Sequence, residues 1–179
     1  MSNDVNKSPF ALPHLKEIFD KLRRGRHICA EDGVFFYDLK DNLPAFTDLF
    51  SNIGFRLETH QRDFFYFHGE GNLSETSIRM GVFVFILMEH LTSIGEPVEE
   101  SVMTKTFAIG ELPHLKSERY RAYMAEAGVD SEDALANIIA NLDNLGFARR
   151  RGDAFVFRAP VYRFFDVCLK LAKPEEGKK

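Results

Sequence analysis

Three adjacent arginines, Arg149, Arg150 and Arg151, form the most concentrated positive charge in the sequence. A second basic group, at the expected end of the first helix, contains Lys21, Arg23, Arg24 and Arg26. Because guanidinium groups pair with phosphate oxygens, these residues offer sequence-independent contact with a DNA backbone. A short basic run is also commonly just a solvated surface. Both interpretations stay open.

Residue types that carry catalysis or bind metals show none of the familiar spacings. Six histidines lie at positions 14, 27, 60, 68, 90 and 114 without an HxxxH or HExxH pair, and Cys29 and Cys168 are far apart. There is no Walker-type phosphate loop and no GxSxG elbow. Acid pairs such as Glu99 with Glu100 indicate surface charge. The sequence predicts no catalytic residue, no metal site, no cofactor, no small-molecule substrate and no enzyme activity.

One structural arrangement occurs twice in the chain. Its two copies read NIGFRLETHQRDFFYF (residues 52–67) and NLGFARRRGDAFVF (residues 144–157). Each follows an apolar i, i+3, i+4, i+7 pattern, which predicts an amphipathic helix. Gly54 or Gly146 then ends the helix, since glycine adopts a left-handed conformation at little cost. A strand, a polar tip and a second strand follow. Helix, glycine and hairpin are typical of the closing half of a winged helix.

The first copy is preceded by elements that fit the opening half of the same fold. Leu15, Ile18, Phe19 and Leu22 predict a first helix that ends at Arg24 and Gly25. A short strand at residues 27–29 and a small helix at residues 35–40 follow. Pro44 suits the first turn of the next helix.

The elements predicted before the second copy are less regular. Residues 74–93 begin with Ser74 as a candidate cap, and their unbroken apolar run 80–88 fits a buried helix or a buried strand. A helix is predicted because the repeat requires one there. Residues 97–102 are predicted to form the short strand.

An insertion is expected at residues 103–129, because the second copy has more residues than the first between its strand and its penultimate helix. Asp130 and Ser131 are predicted to cap that helix. A last helix follows Pro160.

The parts together predict an α+β protein, mainly helical, with two tandem winged-helix domains. We expect the first domain at residues 1–72 and the second at 73–173. The polar, charged ends at residues 1–9 and 174–179 are expected to be disordered tails. A length of 179 residues with 45% hydrophobic content suits two small lobes.

The sequence also predicts a cytoplasmic location. No signal peptide is recognisable, and the longest apolar run is far shorter than the roughly 20 residues of a spanning helix. The two distant cysteines indicate no disulfide framework. No membrane partner is expected.

Winged helices commonly bind DNA through the helix before the wing. Here that helix contains neither lysine nor arginine in either copy, at residues 44–54 or 131–146. Glu132, Asp133 and Asp143 make the second one acidic, and the net charge of the chain is −4. Because such helices are repelled by phosphates, we expect them to meet protein or to pack within their own lobe.

Two aromatic stretches are candidate protein interfaces. Side chains of the strand Phe64, Phe65, Tyr66 and Phe67 alternate in direction, so two of the four must point away from the core of their lobe. Either the neighbouring lobe covers them or they meet a partner. In the last helix, Tyr162 and Phe165 offer a possible second side to a partner, with core packing as the alternative.

Four segments carry a resemblance to a known family. They read LRRGRHICAEDGVFFYDL, FTDLFSNIGFRLETHQRDFFYF, IRMGVFVFILMEHL and NLDNLGFARRRGDAFVFRAPVYRFFDV, and together they cover most of residues 14–170. In the order and spacing of these parts, the chain resembles the MksE and MukE group, the tandem winged-helix subunits that accompany the kleisin of bacterial condensin-like SMC complexes. MksE is the closer comparison, because the chain is shorter than expected of MukE.

This resemblance implies a non-catalytic subunit that forms a symmetric homodimer and wraps the middle of a kleisin, MksF. The SMC ATPase MksB then closes the ring, which implies a nucleoid-associated location. The basic residues named above add non-specific DNA as a further expected partner. Some complexes add a toprim-type nuclease, MksG, so the implied role is chromosome organisation and segregation or plasmid defence. Two rivals stay open: a winged-helix DNA-binding transcriptional regulator, and an adaptor in some other complex.

Overall fold

The computed structural model describes residues 11–69 and 73–172, with side chains described as far as Cys168. The chain divides into two compact units, residues 1–70 (unit 1) and 71–179 (unit 2). Both tails predicted to be disordered lie outside the described residues. The protein is α+β and mainly helical, which confirms the predicted class.

Unit 1 alternates helices with a small sheet. Its elements are α1 (Leu15–Arg23), β1 (Ile28–Cys29), α2 (Val34–Asp41), α3 (Leu43–Asn52), β2 (Leu57–His60) and β3 (Phe64–Phe67). The order of helix, strand, helix, helix and hairpin is the order expected from the sequence. Pro44 lies in the first turn of α3, and Gly54 follows α3 with a φ of 84°. The glycine therefore ends the helix in the left-handed region, as predicted.

The strands of unit 1 form one antiparallel sheet in the order β1-β3-β2. Helices α1, α2 and α3 bury their apolar faces against this sheet. The largest fully buried core side chains of unit 1 are Ile18, Leu22, Ile28, Phe36, Leu39, Phe46, Phe50 and Phe65. Aromatic rings dominate this core, and the small unit buries much apolar area because each ring is large.

Unit 2 repeats this order with an additional helix before its first strand and another after its hairpin. Its elements are α4 (Glu75–Ser93), α5 (Val98–Thr104), β4 (Phe107–Ala108), α6 (Glu118–Glu126), α7 (Glu132–Asn144), β5 (Ala148–Arg151), β6 (Ala154–Phe157) and α8 (Tyr162–Ala172). Strands β4, β6 and β5 form a second antiparallel sheet in that order. Gly146 follows α7 with a φ of 83°, so it ends this helix in the way Gly54 ends α3.

The predicted helix at residues 74–93 is confirmed as α4. Ser74 caps it, because the hydroxyl of Ser74 accepts a hydrogen bond from the backbone N–H of Ser77 at 3.1 Å. For α7 the cap is Ser131, which accepts from the N–H of Ala134 at 3.3 Å. Asp130, the other residue predicted to cap α7, lies one position outside the cap.

The strand predicted at residues 97–102 is wrong, because these residues begin the helix α5. The N–H of Ser101 donates to the carbonyl of Pro97 at 2.8 Å, which is helical spacing. Ser101 and Val102 are buried, while Glu99 and Glu100 lie in the first turn, where negative charge suits the helix dipole. The short strand is β4, further along the chain.

Among the described residues, no single helix has the length and hydropathy to cross a membrane. Helices α4 and α5 reach that length and composition only as a pair, and they are bent by 118°. No three histidine, cysteine or acidic side chains in the described part of the chain lie close enough together to hold a metal ion.

His114 holds the segment between β4 and α6 against α4. Its ring stacks on Phe83 with centroids 4.1 Å apart, and its Nε2 donates to the carbonyl of Phe83 at 2.8 Å. Because a carbonyl only accepts, Nε2 carries the proton. Burial lowers the pKa of His114 from 6.5 to about 4, against the smaller raising effect of the Phe83 hydrogen bond. His114 is therefore neutral in the folded protein at neutral pH.

We expect the free energy of unfolding to fall as the pH drops from about 6.5 towards 4. In this window the unfolded chain binds a proton at His114 that the folded chain does not, so stability rises with pH. Between pH 7.5 and 5 the loss due to His114 is on the order of 2 kcal/mol. Urea unfolding at both pH values measures it. His114→Gln keeps an N–H donor without titrating, and an identical pH dependence in this variant would show that another group is responsible.

Candidate nucleic-acid and protein interfaces

The hairpin of β5 and β6 holds the arginine triplet. In its antiparallel register Arg149 pairs with Val156, Arg150 with Phe155 and Arg151 with Ala154. Directly paired residues share a face, so Arg150 extends the side of the sheet where Phe155 is buried, while Arg149 and Arg151 lie on the other side. The triplet therefore distributes its charge over both faces of one hairpin.

The last two arginines of the triplet are available to solvent. The Nε of Arg150 donates to the carbonyl of Gly152 at 3.0 Å, which turns its side chain towards the tip of the hairpin. Within the described residues, neither Arg150 nor Arg151 forms an ion pair with a carboxylate, and both are exposed. A phosphate approaching the tip would meet two uncompensated guanidinium groups.

The basic group at the end of α1 differs, because its charges are partly compensated. Arg23 pairs with Asp20 at 3.2 Å, and the half-buried Arg26 pairs with Asp32 at 3.2 Å. The Nζ of Lys21 lies 4.8 Å from the centre of the Phe35 ring. Arg24 is exposed at the C-cap of α1. This group has less free positive charge for a phosphate than the tip of the β5–β6 hairpin.

Helices α3 and α7, which precede the two hairpins, contain neither lysine nor arginine. Helix α7 begins with Glu132 and Asp133, and its buried face packs against α4 and β5. The side chains of that face are Leu135, Ile138, Ile139 and Leu142. Such helices are core elements with neutral or acidic outer surfaces, and they are unsuited to insertion between phosphate backbones.

The aromatic strand β3 uses both of its faces, as expected from the alternation. Phe65 and Phe67 lie on the core side, whereas Phe64 and Tyr66 lie on the other. There Phe64 stacks on His60 with centroids 4.3 Å apart. Phe64 and Phe65 are fully buried and offer no surface to a partner in this conformation, so only Tyr66 and Phe67 keep exposed parts.

The predicted interface residues of the last helix are tied to their own unit. The hydroxyl of Tyr162 donates to Oε1 of Glu99 at 2.9 Å, which links α8 to α5. Phe165 lies against the Tyr162 ring with centroids 5.5 Å apart, and it also packs on the core of unit 2. Both side chains are half-buried.

An exposed apolar face on α4 was not predicted from the sequence. Ile78 is 47% exposed and Phe85 is 48% exposed, although both belong to a helix whose other side is buried core. The apolar run 80–88 was expected to be buried throughout. The signal that could have found this face is the seven-residue spacing of Ile78 and Phe85 with Gly81 between them.

Comparison with known proteins gives one family for the chain. The family model described as MksE, condensin complex protein MksE, matches residues 13–169. This range takes in all the helices and strands described above in both units, apart from the last residues of α8. A comparison with curated proteins found no match.

Proposed function

The chain belongs to the MksE family of condensin complex proteins, and we propose that it is the subunit that dimerises and binds the kleisin of a bacterial condensin-like SMC complex. The family match along both units is the observation that carries this proposal. In it, the subunit is non-catalytic and serves as a scaffold.

We further propose that each unit is a winged helix, with domain limits at residues 1–72 and 73–173. In both units a helix, a short strand, two helices and a hairpin follow in this order, with α5 and α8 as additions in unit 2, and the three-stranded sheet topology is the same. These common features support the proposal. The hairpins of β2–β3 and β5–β6 are then the wings. Helices α3 and α7 take the place of DNA-reading helices, and their lack of cations fits a protein-binding role.

The proposed partners are a second copy of the chain, an MksF-like kleisin, and an MksB-like SMC ATPase reached through the kleisin. The complex acts in chromosome organisation and segregation or in plasmid defence, and its place of action is the nucleoid in the cytoplasm. Tyr66, Phe67, Tyr162 and Phe165 retain exposed parts that a kleisin segment can cover.

Non-specific DNA is the remaining proposed partner, through the exposed tip of the β5–β6 hairpin. Arg150 and Arg151 are the principal contacts, because their charge is uncompensated. Arg149 on the same strand, and Arg23, Arg24 and Arg26 in unit 1, form the wider set of proposed phosphate contacts. Hairpin tips and helix ends reach the sugar-phosphate backbone without reading bases.

The double variant Arg150→Gln/Arg151→Gln is expected to weaken duplex binding to a similar extent for every DNA sequence. Each lost phosphate contact lowers the slope of log affinity against log salt by about 0.9, so the slope becomes shallower by about 2. Fluorescence anisotropy with two unrelated duplexes at several salt concentrations measures this. Arg23→Gln is the matched control, and we expect a smaller change because Arg23 already pairs with Asp20. An unchanged slope in the double variant would contradict the assignment.

The same binding data test the proposed function against its rival, a transcriptional regulator. A scaffold subunit is expected to bind duplex DNA weakly and without sequence preference. Selection from a random duplex library provides the most sensitive form of the assay. Enrichment of one sequence with nanomolar affinity would favour the regulator and contradict the scaffold proposal.

A further inference from the structure

Helix α4 carries two apolar faces. One is buried in unit 2 and includes Phe83, Val84 and Leu87. The other follows alternating spacings of three and four residues, the a and d positions of a heptad repeat. This seam consists of Ile78, Gly81, Phe85, Met88 and Thr92, of which Ile78 and Phe85 are the exposed large side chains, while Met88 is half-buried and also packs on the core of unit 2. Heptad spacing with exposed large side chains is the pattern by which one helix packs along another.

Gly81 leaves a gap in the middle of the seam. A Cβ atom built at Gly81 meets no atom within 4 Å, so nothing in the subunit requires a small residue there. Glycine in the interior of a helix costs roughly 0.5–1 kcal/mol relative to alanine. The open space at Gly81, between Ile78 and Phe85, can therefore receive a side chain from outside the subunit.

We propose that α4 of a second copy packs antiparallel on this seam, with Phe85 of each copy filling the gap above Gly81 of the other. This assigns an interface to the homodimer of the proposed function, on which it rests. The projecting ring and the gap lie one helical turn apart on the same face. A two-fold axis between them brings each ring over the partner's gap at once, which is the self-complementarity that a two-fold interface requires.

Charge supports the antiparallel direction. Glu75 near the start of α4 pairs with Arg79 of the same helix at 3.4 Å, and its side chain is 85% exposed. With the axis between Gly81 and Phe85, this ion pair lies level with residues 87–91 of the partner. At that level Glu89 holds Arg119 of α6 at 2.5 Å, and the Arg119 side chain is 64% exposed. The antiparallel arrangement thus brings the Glu75–Arg79 pair of one copy beside the Glu89–Arg119 pair of the other, where opposite charges can alternate. The antiparallel arrangement also aligns the two helix dipoles favourably.

A second copy suits this seam better than a foreign helix because both complementary parts belong to the same chain. A foreign helix must supply its own large side chain for the gap at Gly81, and it must tolerate Phe85. In the two-fold pair, Phe85 of each copy fills the gap at Gly81 of the other. The same contact therefore supplies the large side chain and accommodates Phe85. The seam also continues beyond this contact to Ile78 and Met88, so the pairing buries apolar surface along several turns.

Disulfide formation between two differently tagged copies tests the geometry. One copy carries Gly81→Cys and the other Phe85→Cys, both in a Cys168→Ala background. Cys29 is buried and can stay. We expect a mixed disulfide only when both copies are present. The control replaces Phe85→Cys by Val167→Cys, an exposed position on α8. Absence of the mixed disulfide, or an equal yield with the control, overturns the proposed pairing.

Substitutions that leave the subunit folded test the energetics. Gly81→Leu has free space and a better helix-forming residue, so the subunit is expected to melt no earlier than wild type. Because the leucine closes the gap, and because Phe85→Glu places a charge in the seam, each variant is expected to raise the dimer dissociation constant at least tenfold. Ile94→Glu, exposed just beyond the end of α4, is the control and is expected to dimerise normally.

Sedimentation velocity over a range of concentrations gives these dissociation constants. If both seam variants dimerise as tightly as the wild type, this interface is overturned. Capture of a kleisin tests the proposed function separately. A wild-type chain that stays monomeric, with seam variants that lose kleisin capture, also overturns it and assigns the seam to a partner helix.

Discussion

Phe83→Ala is expected to lower the free energy of unfolding of unit 2 by about 3–5 kcal/mol. The ring of Phe83 is fully buried, stacks on His114 and lies 6.1 Å from the ring of Phe155. Its removal leaves a cavity where α4 meets both the segment between β4 and α6 and the second sheet. It also takes from His114 the ring against which the imidazole stacks. Denaturant unfolding, followed by circular dichroism, measures the loss.

Phe85→Ala is the matched control, because it makes the same change two residues further along the same helix. Phe85 is half exposed and lies on the seam, so its removal from the single subunit is expected to cost less than about 1 kcal/mol. The comparison is made at concentrations where the chain is monomeric, since dimer contacts add to the apparent stability. Equal losses in the two variants would contradict the assignment of the two faces of α4.

Phe50→Ala is expected to destabilise unit 1 by a similar amount, about 3–5 kcal/mol. Phe50 is fully buried on α3, and its ring lies 5.0 Å from that of Phe67 and 5.6 Å from that of Phe46. It therefore joins the helix to the β2–β3 hairpin. Hydrogen exchange resolves the effect, because backbone amides of the hairpin lose protection when this contact is removed.

Ile53→Ala is the control for this second variant. Ile53 caps the same helix but is 52% exposed, so we expect little change in exchange. If the two units are separate domains, as we propose, amides of unit 2 keep their protection in Phe50→Ala. Loss of protection spread over the whole chain would instead indicate one cooperative unit.

The elements that could be predicted from the sequence are those with a local signal. Helices α1, α3 and α7 each have one apolar stripe and a polar remainder, so the periodicity locates them. Gly54 and Gly146 mark the ends of α3 and α7 because a left-handed residue is needed at a single position. The hairpin that carries Arg149, Arg150 and Arg151 follows from the same repeat.

Elements with no local signal were missed. Strand β4 has only two residues, and it is a strand because Phe107 and Ala108 pair with β6, more than 40 residues away in the chain. The short strand that the repeat requires was predicted at residues 97–102. The spacing of Val98, Ser101 and Val102 instead fits the helix α5. The exposure of Phe85 could not be predicted, because residues 80–88 are an unbroken apolar run. Such a run has no polar side that would show which residues face solvent.

The basic residues of the candidate nucleic-acid interface could likewise be predicted only in part. Sequence alone locates the basic residues, but it does not reveal which charges are compensated. Arg26 meets Asp32 only because the turn after β1 folds back towards it. Likewise, only the folded hairpin shows that Arg150 donates to the carbonyl of Gly152 and that, among the described residues, Arg150 and Arg151 pair with no carboxylate.

Capture of partners from the native host tests the central claim most directly. The chain carries a tag at its C-terminus, the lysate is kept at mild salt, and co-eluting proteins are identified by mass spectrometry. We predict near-stoichiometric recovery of a kleisin and a large coiled-coil ATPase, and a co-eluting toprim-type nuclease would assign the complex to plasmid defence. Recovery of the tagged chain alone, with DNA that nuclease treatment removes, would contradict the condensin assignment and favour a transcriptional regulator.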